Sequence, residues 1–177
     1  MYILSKVEIS KEYCDKLLSE NIAEKLVPLM EQKKLTFSSA ESCTGGLIGG
    51  AITAVSGSSK VYSGGLITYT NDVKINVLGV DADTVAENTE VSAPVAYQMA
   101  RKVKEKLSAD IGVSATGFAG PTGGNENDPV GTVYVGFCTP MGDIVHRLSF
   151  YCGAPREIVR SATAEYILDQ IAHIIIK

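Results

Sequence analysis

This chain of 177 residues has no tryptophan, two histidines and four cysteines. Each scarcity removes a class of chemistry. The cysteines, Cys14, Cys43, Cys138 and Cys152, form no C-x-x-C pair and have only His146 and His173 beside them, which argues against a structural zinc site and suggests no disulfide framework. His146 falls inside a strand-like run and His173 in the last turns of a helical one, and no Gly-x-Ser-x-Gly elbow is present, so a Ser-His-Asp triad is disfavoured. No apolar run reaches membrane-spanning length, and Met1-Tyr2-Ile3-Leu4-Ser5 gives way at once to charged residues, too short for a secretion signal. Strong charge is missing as well. Sixteen basic and twenty acidic residues, a net charge of −4, are spread without blocks. Nucleic acid is therefore not the expected partner, although a local pocket for one phosphate is compatible with that balance. The expectation is a cytoplasmic protein with no membrane contact, no metal and no cofactor, folded as one domain over residues 1–177.

What the chain does have is glycine, 17 residues of it, concentrated between apolar periodic segments. Lys11 to Lys33 carries Leu18, Ile22, Leu26, Leu29 and Met30 at helical spacing and reads as one amphipathic helix. Leu35 to Ser39 alternates as a strand, and Leu47-Ile48 through Ile52 continues as an apolar helix. Gly64 to Thr70 is a second β-rich run, and Val73 to Leu78 a short helix ended by Gly79. Ala93 to Leu107, with Pro94 near its start and Val95, Met99 and Val103 every four residues, is a surface helix. Asp110 to Thr116 is a strand that runs into a long glycine-rich loop. Gly131 to Phe137 and Asp143 to Phe150, joined by Pro140-Met141-Gly142, form an antiparallel hairpin. A final helix runs from Pro155 to about Ile175, with Ile158, Ala162, Ile167, Ile171 and Ile174 on its buried face. The implied architecture is an α/β fold, a three-layer α/β/α sandwich with a mixed, mostly parallel sheet of about five strands ending in the hairpin. The apolar end Ile174-Ile175-Ile176 and the long first helix lean toward a homo-oligomer.

Chemistry should gather where glycine loops leave the carboxyl ends of strands. The segment Ala40-Glu41-Ser42-Cys43-Thr44-Gly45-Gly46 places small hydroxyls and paired glycines between a strand and a helix. Thr44, Gly45 and Gly46 should form the first helical turn, with free N–H groups above Ser42 suited to an oxyanion or a phosphate. Ser42 reads either as a nucleophile or, with Thr44, as a helix cap. A serine nucleophile needs a base, and with the histidines badly placed a lysine of lowered pKa can substitute. Lys74, just after the strand that delivers Tyr69, is one candidate; Lys60, after Ser56-Gly57-Ser58-Ser59, is its rival. Glu41 orients a lysine or a ribose, or is an ordinary loop acid. Cys43 is a conceivable nucleophile and a more natural buried filler. Thr116 at a strand end, with Gly117 and Gly120 after it, can approach an anion closely. Arg156 and Arg160, one turn apart, either clamp a phosphate or form salt bridges.

Taken together, Ala40 to Gly46, Gly65-Leu66-Ile67-Thr68-Tyr69-Thr70-Asn71 with Lys74, Val91-Ser92-Ala93-Pro94-Val95, and Gly117-Phe118-Ala119-Gly120-Pro121-Thr122-Gly123-Gly124 followed by Pro129 to Val133 resemble the C-terminal domain of the competence-damage-inducible protein CinA. The resemblance runs from about Glu12 to the C-terminus in the family's order. It implies nicotinamide-nucleotide amidohydrolase activity, converting nicotinamide mononucleotide and water to nicotinic acid mononucleotide and ammonia in pyridine nucleotide salvage. By that resemblance Ser42 is the nucleophile, Lys74 its base, Tyr69 an assistant and Arg156 part of the substrate site. Glu41, Thr44, Gly45, Gly46, Thr116, Gly117 and Gly120 would complete the binding set. The chain departs from the family's frequent Gly-Asp-Arg, reading Gly153-Ala154-Pro155-Arg156 instead. The family's N-terminal molybdopterin-binding-like domain has no counterpart here, so a stand-alone domain is expected. A catalytically silent nucleotide-binding module, or a regulatory role in competence, is the alternative.

Overall fold

Alternating and fully apolar runs become six strands in the computed structural model, which describes residues 1–176. In chain order the elements are β1 (Ile3–Ile9), α1 (Lys11–Ser19), α2 (Ile22–Lys33), β2 (Phe37–Glu41), α3 (Leu47–Thr53) and β3 (Tyr62–Ile67). A π-helical turn (Val73–Leu78) leads to α4 (Ala82–Asn88), α5 (Ala93–Lys106), β4 (Ile111–Gly117), β5 (Thr132–Thr139), β6 (Gly142–Phe150) and α6 (Arg156–Ile176). The sheet order is β1-β6-β5-β4-β2-β3. Only β5 runs against its neighbours; the β1–β6, β4–β2 and β2–β3 pairs are parallel. Helices α1, α2, α3 and α6 cover one face, and α5 with α4 and the π-turn covers the other.

Two expectations change. The sheet has a sixth strand, β1, so the hairpin does not end it: β1 lies parallel against β6 in an unbroken register from Ile3↔Ile144 to Ile9↔Phe150. An edge strand buries little, and Lys6 and Glu8 break its apolar run, which hid it from an apolar-pattern reading. The single helix expected over Lys11 to Lys33 is two. Asn21 restarts the chain, its side chain accepting from the Glu24 N–H at 3.4 Å. The break rotates the buried face, so Cys14 and Leu17 enter the core while Leu18 stays exposed.

Small residues on one side of the sheet let α5 lie almost directly on it. Ser114 donates to the Ala96 carbonyl at 2.6 Å and accepts from the Gly136 N–H at 3.3 Å. A Cβ at Gly112 would stand 2.0 Å from the Ala100 carbonyl oxygen, so only glycine fits beneath that turn. On the opposite side Phe37, Ile111, Val113, Val133 and Val135 pack against Ile48, Ile167 and Ile171, all with almost no exposure. That dense support holds the carboxyl ends of β2, β3 and β4 side by side.

Candidate active site

The chain leaves β2 at Glu41, and that carboxylate is almost fully buried. Its oxygens accept from the N–H groups of Gly46 (2.9 Å), Ile48 (3.1 Å) and Gly49 (2.9 Å), and from the Ser39 hydroxyl at 3.2 Å. Glu41 thus satisfies the orphan donors of α3 from inside the strand, a negative charge at the positive end of the helix. This corrects the expected arrangement of the loop. Thr44, Gly45 and Gly46 are not the first turn of the helix but a turn ahead of it, with Gly45 and Gly46 left-handed at φ 61° and 99°. The N–H of Gly46 is spent on Glu41. Those of Cys43, Thr44 and Gly45 make no hydrogen bond among the described residues. Arg160 straps the same turn from α6, donating to the carbonyls of Cys43 (2.9 Å) and Thr44 (3.0 Å). It therefore holds the loop.

At the head of this turn, Ser42 anchors its N–H on the Ala115 carbonyl at 2.9 Å. Across β3, the Thr68 N–H bonds the Glu41 carbonyl at 2.7 Å, which ties the start of the next loop to the same point. The loop then enters the π-helical turn, whose wide winding sends the Lys74 side chain back under the sheet edge. Lys74 is 1 % exposed. Its Nζ donates to Ser42 Oγ at 3.1 Å and to the Thr68 carbonyl at 3.0 Å. No carboxylate among the described residues bonds it. Burial pushes the Lys74 pKa below the usual lysine value, partly opposed by the charge of Glu90. Lys60 is placed elsewhere: it is exposed and paired with Glu31. Tyr69 is 61 % exposed and lines the same cavity without a hydrogen bond to Ser42 or Lys74.

Ser42, Tyr69, Lys74, Thr116, Gly117 and Arg156 share the wall of a cavity of about 240 Å³. Arg156 donates to the Gly120 carbonyl at 2.8 Å, which pins the glycine loop to the start of α6. The Thr116 hydroxyl is committed to the Glu90 carbonyl at 2.7 Å. Gly117 is a packing glycine, since a Cβ there would lie 2.6 Å from the Thr132 carbonyl oxygen. Glu41, Thr44, Gly45, Gly46 and Gly120 do not line the cavity. Cys43 does, but burial pushes its thiol up to about 12, far from a thiolate at neutral pH. Four wall residues carried no role in the sequence reading: Glu90, Val91, Phe118 and Ala119. Val91 and Phe118 sat inside motifs noted for their glycine or proline. Nothing in the local pattern pointed Glu90 at Thr116 at the end of β4, 26 residues later, because its approach depends on α5 docking.

The fold and site define an α/β protein with a buried serine–lysine pair at the carboxyl edge of three adjacent parallel strands. The chain belongs to the family of the CinA C-terminal domain, whose model matches residues 19–175. It is 43% identical over 150 residues to a competence-damage inducible protein, named as such only provisionally, from Thermoanaerobacter sp., covering 85% of this chain and 36% of that one. A CinA-like protein from Cyanothece sp. is likewise 43% identical over 152 residues, covering 86% and 36%. The chain thus spans little more than a third of these curated relatives. Among solved structures, the competence/damage inducible protein CihA from Agrobacterium tumefaciens superposes with a TM-score of 0.81 at 38% identity, over 85% of this chain and 91% of that one. A CinA superfamily protein from Escherichia coli gives 0.84 at 29% identity, over 90% and 92%. Among the described residues no helix is long and apolar enough to cross a membrane.

Proposed function

We propose that the protein is an amidohydrolase that removes ammonia from the carboxamide of nicotinamide mononucleotide, leaving nicotinic acid mononucleotide, with Ser42 as nucleophile and Lys74 as general base. The observation that carries this reading is the buried Lys74 amine, 3.1 Å from Ser42 Oγ and hydrogen-bonded to no carboxylate among the described residues. In the neutral amine one N–H remains on the Thr68 carbonyl and the lone pair faces the serine hydroxyl. Lys74 takes the Ser42 proton as Oγ attacks the carboxamide carbon. The resulting oxyanion draws on the backbone N–H of Cys43, which lines the cavity and which Glu41 leaves unused. Lys74 then passes its proton to the departing nitrogen, ammonia leaves, and water hydrolyses the ester on Ser42 with Lys74 again as base. Tyr69 at the mouth supports the substrate, and Arg156 supplies the positive charge for the phosphate. Anchoring by ribose and phosphate makes the nucleotide a far better substrate than free nicotinamide, which offers the same amide without the anchor.

The test is to incubate the protein with nicotinamide mononucleotide in metal-free buffer and measure ammonia and nicotinic acid mononucleotide together, with Ser42→Ala alongside. Equimolar release that disappears in the variant is the expected result. Binding without release would replace the hydrolase by a nucleotide-binding module.

A further inference from the structure

One acidic side chain stands on the wall of the cavity that holds Ser42 and Lys74, and it is Glu90. Its backbone is fixed from both sides. The Glu90 carbonyl accepts the Thr116 hydroxyl at 2.7 Å. The preceding Thr89 has φ +64°, a left-handed conformation that a β-branched residue rarely adopts. Two further bonds hold that turn, from the Thr89 hydroxyl to the Val91 carbonyl at 3.3 Å and from the Ser92 hydroxyl to the Thr89 carbonyl at 3.1 Å. Strain kept in place by surrounding bonds, next to a cavity, is a mark of a functional position. The Glu90 carboxylate takes part in none of the ion pairs among the described residues. Phe118 lines the same cavity and packs against the apolar cluster that contains Val91, Ala93 and Tyr134.

A cavity lined by both a partly buried glutamate and an aromatic residue is a poor site for a neutral or anionic heterocycle and a good one for a planar cation. Resting on the reading above, we propose that Glu90 is a specificity-determining residue that selects amides carried on a cationic pyridinium ring. It discriminates against the same amide on an uncharged ring and against the carboxylate product. The N-ribosylated pyridine of the substrate carries that positive charge, while free nicotinamide and the reduced, dihydropyridine nucleotide do not. Phosphate and ribose contacts cannot make the last distinction, because oxidised and reduced nucleotides share them. Glu90 would also hasten departure of the product, whose new carboxylate stands on the ring it faces.

The experiment measures dissociation constants calorimetrically for nicotinamide mononucleotide and its reduced form on the full chain carrying Ser42→Ala, which blocks turnover, and on the same chain with Glu90→Gln added. The expected result is that the oxidised nucleotide binds about tenfold tighter or more, and that Glu90→Gln reduces the ratio to about one to two. Equal Tm values for the two proteins establish that the fold is unchanged, and a second pair, 1-methylnicotinamide against nicotinamide, repeats the comparison without the phosphate. A ratio unmoved by Glu90→Gln, a parent protein without preference, or no binding of either nucleotide at millimolar concentration overturns the proposal. The outcome is separable from the hydrolase reading. Ring-charge selection in binding with no ammonia release from the Ser42-intact protein would sink the hydrolase alone, and ammonia release with no selection would sink the Glu90 role alone.

Discussion

Replacing Glu41 by glutamine is the most discriminating single change in the loop that presents Ser42. The two side chains have nearly the same shape, so packing against α3 is preserved. Their hydrogen-bonding capacity differs. Glu41 receives Gly46 and Ile48 N–H on one oxygen and Gly49 N–H with the Ser39 hydroxyl on the other. Glutamine keeps its oxygen where two backbone donors converge and turns its NH2 toward Gly49, whose N–H then faces another donor at what was a 2.9 Å bond. The Gly49 bond to a charged acceptor is lost, worth about 1.5–3 kcal/mol, the Ser39 hydroxyl has to turn from donor to acceptor, and the Gly46 and Ile48 bonds that remain lose their charge assistance. A total cost of about 2–4 kcal/mol follows from those values. In a chain of this size each kcal/mol moves Tm by about 2–4 °C, so the transition should fall by about 5–15 °C. Circular dichroism at 222 nm or calorimetry reads this directly. The sequence reading also allowed Glu41 to orient a ribose, and that role predicts the opposite pattern. A Tm unchanged within about 2 °C, with KM raised tenfold and kcat retained, would refute the helix-anchor argument.

Lys74→Met should abolish amide hydrolysis, by at least about 10²-fold, while leaving Tm equal or higher, because a buried amine is exchanged for an apolar chain of similar length; a large drop in Tm would mean that the amine is needed for folding. Since burial holds the Lys74 pKa below its ordinary value, the neutral, basic form accumulates as pH rises, and kcat/KM should climb with pH through that lowered pKa. Between it and the ordinary lysine pKa the unfolded chain binds the proton and the folded chain does not, so the Lys74 contribution to stability rises with pH across the same window; a flat profile of both would contradict the assignment. Cys43→Ala should keep activity within about threefold and iodoacetamide should not inactivate the wild type, given a thiol pushed up to about 12. Gly112→Ala drives a methyl group to 2.0 Å from the Ala100 carbonyl oxygen and should cost about 3 kcal/mol or more, seen as a lower Tm with α5 displaced from the sheet.

The parts of the fold that were legible in sequence are those whose burial is one-sided and local. Val95, Met99 and Val103 recur every four residues and mark α5 because one face of that helix meets the sheet. The alternation that marked the hairpin survives as β5 and β6, although β5 is buried on both faces. What escaped depends on partners remote in sequence. β1 has an unremarkable composition and exists as a strand through its ladder to β6, some 140 residues later. The break between α1 and α2 rests on Asn21 as a cap, a signal present in the chain but outvoted by the apolar spacing on either side.

The site divides along the same line. Ser42 and Lys74 could be picked out because each follows a strand at a turn rich in small or polar residues, and parallel neighbours put their carboxyl ends together whatever the side chains are. Choosing Lys74 over Lys60 needed tertiary information: one lysine is sealed beneath β3 and the other reaches across solvent to Glu31. Glu41 could be read as a group for a ribose or as an ordinary loop acid, and Arg160, one turn from Arg156, as half of a phosphate clamp or a salt-bridging residue. Both are consumed in holding the loop, the carboxylate by three backbone donors and the guanidinium by two carbonyls. Neither lines the cavity, whose charged wall residues are Lys74, Arg156 and Glu90. Beside the Lys74 amine stand one positive side chain, Arg156, and one negative, Glu90, the pairing that the proposed ligand, with its phosphate and its cationic ring, calls for.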